Sequence, residues 1–309
     1  MPESPTVDDA DLAISQGELV IGVEADVGGK VRGKGLGIVA WLCIGWLILI
    51  TGAAFLAPIL PLDNPNETFV EIAPSGTPGT EGHILGGDSS GRDLLSRVVW
   101  GARNSMTIGF GAIIFGTILG GVLGLLGGYY RGRLDTVIVG LLDILLSFPP
   151  LALALVLVTV LRGRVSGVLT LVLALGIISI PVLARITRAS ALVWSQREFV
   201  TAARAQGAKN VRIMIREVLP NVIPSMMSIA ILGVAVVIVA EAGLGVVGLG
   251  LSTQDPTWGN VINDGRADLL NGTPHIVFVG AAMVFLTVLA LNFVGDVLRA
   301  RFDVREAGI

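Results

Sequence analysis

The sequence predicts an all-α integral membrane protein with six transmembrane helices and both termini in the cytoplasm. Its 309 residues have a mean hydropathy of +0.80 and only 15% charged residues, whereas charge occupies roughly a quarter of an average soluble chain. Six long apolar windows complete the pattern. The net charge of -3 and the lack of a long Lys/Arg run argue against nucleic acid as a partner, because that partner needs a positive surface. The predicted environment is a lipid bilayer.

Each window is long enough to cross a bilayer, which takes about 20 apolar residues because a helix rises about 1.5 Å per residue across about 30 Å of hydrocarbon. Only the third and fifth windows carry a charged side chain, Asp143 and Glu241 respectively. Backbone polar groups in lipid must bond within their own segment, so these runs are predicted to be helices. The windows are 36–62, 104–130, 136–161, 165–184, 218–254 and 269–295.

The distribution of Lys and Arg predicts the orientation, since basic residues near span ends resist translocation. With the N-terminus inside, most of the 21 basic residues are cytoplasmic, including seven from Arg185 to Arg216. Three parts follow. An acidic tail, 1–35, is expected to be disordered; a first helix with an extracytoplasmic loop occupies 36–103; and a core domain with five helices occupies 104–305.

A long polar segment, 185–224, separates the fourth and fifth windows. Connections between packed helices are usually a few residues long, so this segment is expected to have its own task. Ser195 and Glu198 have the spacing of a capping box, and Gly207 is placed to end the helix that the box would start. A second short helix is predicted over 210–219, ending before a proline.

This polar segment also carries a family resemblance. The stretch Arg197-Glu-Phe-Val-Thr-Ala-Ala-Arg-Ala-Gln-Gly207, followed by Leu219-Pro220-Asn221, resembles the EAA loop of permease subunits in bacterial ABC importers. Its detailed form is similar to the dipeptide, oligopeptide and nickel branch. Three further regions, 83–103, 241–259 and 292–299, resemble the C-type permease of that branch in the same order.

The resemblance implies the type I ABC importer permease fold and the uptake of dipeptides or oligopeptides across a bacterial cytoplasmic (inner) membrane. Nickel-chelate and glutathione permeases are similar alternatives. The implied partners are a homologous second permease subunit, one or two cytoplasmic ATPase subunits that bind ATP and magnesium, and an extracytoplasmic substrate-binding protein. This chain contains no G-x-x-x-x-G-K-[ST] phosphate loop, so neither a cofactor nor catalysis is expected on it.

The EAA loop, at about 190–222, is implied to form a coupling helix that inserts into a cleft on the ATPase. The resemblance implies this docking role for the positions that match the motif, which are Glu198, Ala202, Ala203 and Gly207. Nearby basic residues are further docking candidates, with a solvated surface as the alternative. The full set of docking candidates is Glu198, Ala202, Ala203, Arg204, Gly207, Arg212 and Arg216.

Glycine recurs at every fourth position in the second window. Such a stripe lets helix backbones approach closely, which favours association in lipid. The stripe predicts a packed helix whose partner lies either in this chain or in a sister subunit. Its members are Gly116, Gly120, Gly124 and Gly128.

Two carboxylates and a proline pair are candidates for the translocation path. An intramembrane acid costs about 2.5–3.5 kcal/mol on insertion scales, so Asp143 and Glu241 are predicted to have partners. For Glu241 a structural hydrogen bond, a place on the path and proton coupling all stay open, whereas a salt contact is favoured for Asp143. Pro149 and Pro150 are predicted to kink the third span beside the path.

Two other functional classes compete with the importer. A secondary transporter would couple to protons through Glu241 and Asp143. A hydrolase would use Gly87-Asp-Ser-Ser-Gly91, which fits G-x-S-x-G but lacks the preceding strand that a nucleophile elbow requires. The alternative for this motif is a turn in which Asp88 or Ser90 caps a following helix.

Overall fold

The computed structural model describes residues 37–69 and 74–306. The expected N-terminal tail therefore lies outside the described residues. One compact unit comprises residues 40–309; of the preceding unit, 1–39, only the first residues of a helix are described. Within the described ranges the structure is helical, and extended backbone is limited to isolated bridges such as the one between Gly87 and Asp93.

The α-helices are numbered in chain order. Their bounds are α1 Ile38–Leu56, α2 Leu94–Tyr130, α3 Gly132–Leu146, α4 Pro150–Leu161, α5 Gly167–Trp194, α6 Glu198–Ala205, α7 Asn210–Val246, α8 Trp258–Asp264, α9 Arg266–Leu270 and α10 His275–Glu306. A short 3₁₀ turn, Thr80–Gly82, lies in the loop before α2.

Helices α1, α2, α5, α7 and α10 are each long and apolar enough to cross a membrane. Helices α3 and α4 reach that length only together, and they are bent by 89° at the break between them. The described residues thus contain five continuous spans, and six when the bent pair is counted as one. The predicted kink is a full break: Pro149 is extended, with ψ 125°, because a residue before a proline avoids the α conformation.

Helix α2 begins upstream of the predicted window because a polar cap supports its first turn. The side chain of Asp93 accepts a hydrogen bond of 2.7 Å from the Ser96 N–H. The expectation that Asp88 or Ser90 caps this helix was wrong. Asp88 instead folds the preceding turn by accepting a 2.8 Å hydrogen bond from the Ser90 N–H.

Helix α7 passes through Pro220, so the prediction of a short helix ending at Leu219 was also wrong. Its turn over 214–218 is π-helical, and such a widened turn relaxes the hydrogen-bond register where a proline has no N–H to donate. The side-chain amide of Asn221 donates a 2.6 Å hydrogen bond to the carbonyl of Glu217. One uninterrupted helix therefore joins the polar segment to the fifth predicted span.

The glycine stripe of α2 packs on α5 of the same chain. A Cβ added at Gly120 would lie 2.8 Å from the carbonyl oxygen of Ile180, and one at Gly128 would lie 2.7 Å from that of Arg188. A Cβ at Gly124 would lie still closer to the carbonyl oxygen of Ala184, and one at Gly116 would lie 3.0 Å from the Cβ of Ser179. Only glycine leaves room for backbones at this separation, so the α2–α5 pair forms the centre of the fold.

Candidate functional site

Helix α6 is a short helix between the cytoplasm-directed ends of α5 and α7, as the sequence orients them. It begins at Glu198 without a side-chain cap, after Arg197 in an extended conformation. The predicted capping box was therefore wrong. Because α5 continues well beyond the predicted window, Ser195 lies at the end of α5. There its hydroxyl donates a 3.1 Å hydrogen bond to the carbonyl of Leu192.

The end of α6 follows the prediction. Gly207 has a left-handed φ of +80°. Its N–H bonds the carbonyl of Arg204 at 2.9 Å, and the N–H of Ala208 bonds that of Ala203 at 3.1 Å. These two bonds make a Schellman motif. A Cβ at Gly207 would meet no atom within 4 Å, so glycine is needed for its conformation and not for space.

The inner face of α6 is fixed to three membrane helices. Val200 is fully buried in a cluster with side chains of α2, α5 and α7, including Tyr129 and Ile213. The Arg204 guanidinium lies 5.9 Å from the centre of the Tyr129 ring, and the Tyr129 hydroxyl donates a 3.1 Å hydrogen bond to Asn210. A displacement of α6 would therefore be transmitted to all three helices.

Most of the predicted docking residues are exposed on α6, just after it, or in the first turns of α7, although Arg204 lies on the Val200 side of α6, over the Tyr129 ring. Ala203 is the exception: it is half-buried against the cluster around Val200. The two alanines therefore do not share one open surface. The exposed members are Glu198, Ala202, Arg204, Gly207, Arg212 and Arg216.

Sequence reasoning missed an apolar component of this surface. Phe199, Val211 and Ile215 are 36%, 55% and 51% exposed, and they stand among the basic residues of the segment. Apolar residues at an interface core are usually covered when a partner binds. The sequence carried no signal that singled them out, because the same segment holds apolar residues that the fold buries, such as Val200 and Ile213.

Glu241 lies on α7, fully buried between α2 and the start of α8. The Ser105 hydroxyl donates a 2.9 Å hydrogen bond to Oε2, and Ser105 Oγ accepts one of 3.3 Å from the Trp258 N–H. Thr257 also faces the carboxyl. The carboxyl thus joins α7 to α2 directly and to the start of α8 through Ser105. Its side chain is buried in this conformation, and Oε1 has no hydrogen-bond partner among the described residues.

Asp143 pairs with Arg185 of α5. Asp135, about two turns before Asp143 on α3, pairs with Arg188, about one turn after Arg185 on α5. Sequence reasoning had placed both arginines in the cytoplasmic segment. The structure places them inside α5, which extends to Trp194. Two charges are therefore added to the membrane region, each neutralised by an acid of α3.

The bend between α3 and α4 borders a cavity of about 330 Å³. Pro150 lines it together with Phe148, Val182 and Val236, whereas Pro149 is not among the lining residues. The lining is apolar apart from Ser179. The proline pair thus opens space beside the bend between α3, α5 and α7.

The loop before α2 is tied to α8 by buried charges. Arg97 is fully buried and lies 3.1 Å from Asp88 and 2.9 Å from Asp264. Burial raises the pKa of the Asp264 carboxyl, while Arg97 and Arg92 oppose that rise. Sequence reasoning missed this network, because it links residues far apart in the chain.

The same loop does not have the geometry of a hydrolase. The described segment 83–93 forms turns rather than a strand. The His83 ring lies 2.9 Å from Asp93, and Asp88 is engaged by the turn and by Arg97. The segment thus serves as a structural support for α2.

A family model described as "Binding-protein-dependent transport system inner membrane component" matches residues 112–307. The chain belongs to this family. It is a permease subunit of a binding-protein-dependent ABC importer, as the EAA-like loop indicated. The match includes the bent span, α6 and the glycine stripe.

Named relatives cover most of this permease. It is 35% identical over 257 residues to the glutathione transport system permease protein GsiD of Pectobacterium atrosepticum, with 83% of each chain covered. It is 36% identical over 265 residues to the dipeptide transport system permease protein DppC of Alkalihalophilus pseudofirmus, with 85% of each covered. GsiD of Escherichia coli O157:H7 is 37% identical over 262 residues, covering 85% of this chain and 84% of that protein.

A solved structure shares the fold of the permease. An inward-facing form of the MetNI methionine ABC transporter aligns with a TM-score of 0.55 and 22% identity, over 67% of this chain and 95% of that one. This likeness supports the type I permease fold and nothing finer. The predicted all-helical permease fold is confirmed. Of the six spans predicted, five are continuous helices in the described residues, and the bent pair α3 and α4 makes the sixth when it is counted as one span.

Proposed function

We propose that this permease imports dipeptides or closely related peptides such as glutathione across a bacterial inner membrane. The relatives named for dipeptide and glutathione transport support this cargo class. A nickel chelate is the alternative from the same branch. Import would proceed by alternating access, with solute delivered by an extracytoplasmic binding protein and released into the cytoplasm between this subunit and a homologous second permease.

Helix α6 is the proposed coupling helix. The observation that carries this role is its two-sided geometry: Val200 is buried against α2, α5 and α7, while Ala202 and Glu198 are exposed on the opposite side. A rigid body attached to three spans and open on its outer face can transmit the closure of a partner. Exposed Phe199 and Ile215 would supply the apolar centre of the contact, and Arg212 and Arg216 its charged rim.

The energy source is proposed to be ATP hydrolysis in partner subunits. One or two cytoplasmic ATPase chains would bind ATP and magnesium, and this chain would be non-catalytic. The rival proton relay needs groups that exchange protons with one another. Among the described contacts, Glu241 binds Ser105 and Asp143 binds Arg185, so the two acids belong to separate networks.

The orientation follows from the same assignment. With α6 against a cytoplasmic ATPase, the loop before α2 and helices α8 and α9 face outward, and both termini lie in the cytoplasm. The excess of Lys and Arg on the α6 side supports this arrangement.

The test is a charged residue on the outer face of α6. Ala202→Lys introduces a bulky cation where a partner would approach, without disturbing the Val200 cluster. We expect the ATPase subunits to be lost from the purified complex and ATP-driven uptake to fall at least tenfold. Thr136→Lys, at an exposed position of α3, is the matched control and should retain both. Normal assembly and uptake in Ala202→Lys would contradict the docking role.

A further inference from the structure

A half-exposed ion pair lies beside the bent span, at the cytoplasmic end of the apolar window of α5. Asp143 of α3 and Arg185 of α5 form a salt bridge in which the side chains are 52% and 53% exposed. At about 1.5 Å per residue, Arg185 lies about 27 Å from the start of α5 and about 14 Å from its end. Arg185 follows directly on the apolar window 165–184, which by itself spans a hydrocarbon core of about 30 Å, so the pair lies at the cytoplasmic edge of the core.

Lipid is a poor environment for such a surface. A charged side chain at the centre of a bilayer costs about 2.5–3.5 kcal/mol on insertion scales, and ionisable groups in spans face a bundle interior or a water-filled cavity. The neighbouring pair of Asp135 and Arg188 faces the bundle interior, because the two side chains are only 15% and 31% exposed. The Asp143–Arg185 pair is too exposed in this chain for a bundle interior, and its exposed side is compatible with a water-filled cavity.

An apolar cavity adjoins the pair on the side of the bend. Leu146 and Val182 line this cavity of about 330 Å³, and each lies three positions from its paired residue, or about one helical turn. Leu146 follows Asp143 on α3 and Val182 precedes Arg185 on α5, so both residues place the cavity on the same side of the ion pair along the two helices. One surface thus combines an anion, a cation and an apolar recess.

We propose that Asp143, Arg185 and this cavity form a solute subsite on the translocation pathway. Its ligand is a small zwitterion: an ammonium group binds Asp143 in place of Arg185, a carboxylate binds the freed guanidinium, and an apolar side chain enters the cavity. Without solute, the two side chains neutralise one another and leave the pathway without a fixed net charge. The assignment rests on the proposed function, since peptides carry these three groups.

The double variant Asp143→Asn with Arg185→Gln separates a subsite from a structural salt bridge, because it leaves no unpaired charge. The complete complex, with its second permease, ATPase subunits and binding protein, is reconstituted in proteoliposomes and supplied with a radiolabelled dipeptide. We expect uptake per assembled complex to fall at least tenfold while binding-protein-stimulated ATP hydrolysis persists. Asp135→Asn with Arg188→Gln is the matched control and should change uptake less than threefold.

Uptake within twofold of wild type in the Asp143/Arg185 double variant would overturn the subsite. If the wild-type complex shows no ATP-dependent dipeptide uptake, the proposed cargo fails instead. The two failures are therefore distinguishable.

Thiol labelling tests the water-facing surface independently of cargo. Gly140→Cys lies one turn before Asp143, where an added Cβ would meet no atom within 4 Å, so the pair stays intact. Leu141→Cys, exposed on the other side of α3, is the control. In a Cys43→Ser background of the whole complex, a membrane-impermeant charged thiosulfonate should modify Gly140→Cys at least tenfold faster than Leu141→Cys. Equal rates would overturn the proposal.

Discussion

The hydroxyl of Ser105 on α2 donates a hydrogen bond of 2.9 Å to the buried Glu241 carboxyl on α7. Glu241→Gln keeps an acceptor at this point and removes the titrating group. We expect the variant to retain at least half of ATP-driven uptake, because the bond between the helices survives. The measurement is uptake per assembled complex, with and without a proton gradient. Loss of uptake together with loss of gradient dependence would favour the proton-coupled class.

Removal of the donor should affect stability rather than mechanism. Ser105→Ala leaves a buried carboxyl oxygen without its hydrogen bond, which costs about 1–3 kcal/mol. A lower melting temperature of the detergent-solubilised permease is the expected result, with turnover per folded complex unchanged. An unchanged melting temperature would mean that another group takes over the hydrogen bond to Glu241.

Close helix packing makes the glycine stripe intolerant of side chains. In Gly120→Val the new Cβ would lie 2.8 Å from the carbonyl oxygen of Ile180, and overpacking of this kind costs about 1–3 kcal/mol or more. The expected result is a marked drop in membrane level and melting temperature. Gly140→Val is the matched control, since its Cβ meets no atom within 4 Å. Similar behaviour of the two variants would contradict the α2–α5 contact.

The end of α6 depends on backbone conformation alone. Gly207→Ala places an L-residue at φ +80°, which costs about 1–2 kcal/mol, whereas Asn tolerates that region better. We therefore expect uptake to decrease in the order glycine, asparagine, alanine, with the Val200 cluster intact. The check is uptake together with retention of the ATPase subunits. Equal uptake in the alanine and asparagine variants would show that the left-handed turn is not required.

Arg97 should be essential for the outer loop. It is buried between Asp88 and Asp264, and removing one partner of a buried ion pair costs about 3–5 kcal/mol. Arg97→Met is expected to lower the membrane level of the permease severely, as measured by immunoblot and by melting of any solubilised material. A wild-type level would show that the two acids are satisfied by other groups, such as Arg92.

The span pattern could be predicted from the sequence because burial in lipid requires long apolar runs, and each window contains a helix. The ends of those helices could not, since they depend on partners from elsewhere in the chain. Arg185 and Arg188 seemed too polar for a span, but Asp143 and Asp135 neutralise them. The passage of α7 through Pro220 likewise depends on a π-helical turn that no local propensity signals.

The sequence predicted where the candidate site lies in the chain, but it predicted only part of the geometry of the site. The EAA-like motif located α6, and Gly207 marked its end. Which alanine faces outward depends on how α6 rotates against α2, α5 and α7, and Val200 fixes that rotation by its burial. The apolar residues Phe199 and Ile215 became meaningful only when the structure showed that they stay partly exposed, at 36% and 51%.

The central claim is that α6 receives force from a cytoplasmic ATPase. Its most direct test is site-specific cross-linking from Ala202→Cys, in a Cys43→Ser background of the whole complex, with a short bifunctional reagent. The predicted result is a covalent product with an ATPase subunit whose yield changes on addition of ATP. A product with the extracytoplasmic binding protein, or modification of this cysteine by a thiol reagent confined to the outer side of the membrane, would contradict the account.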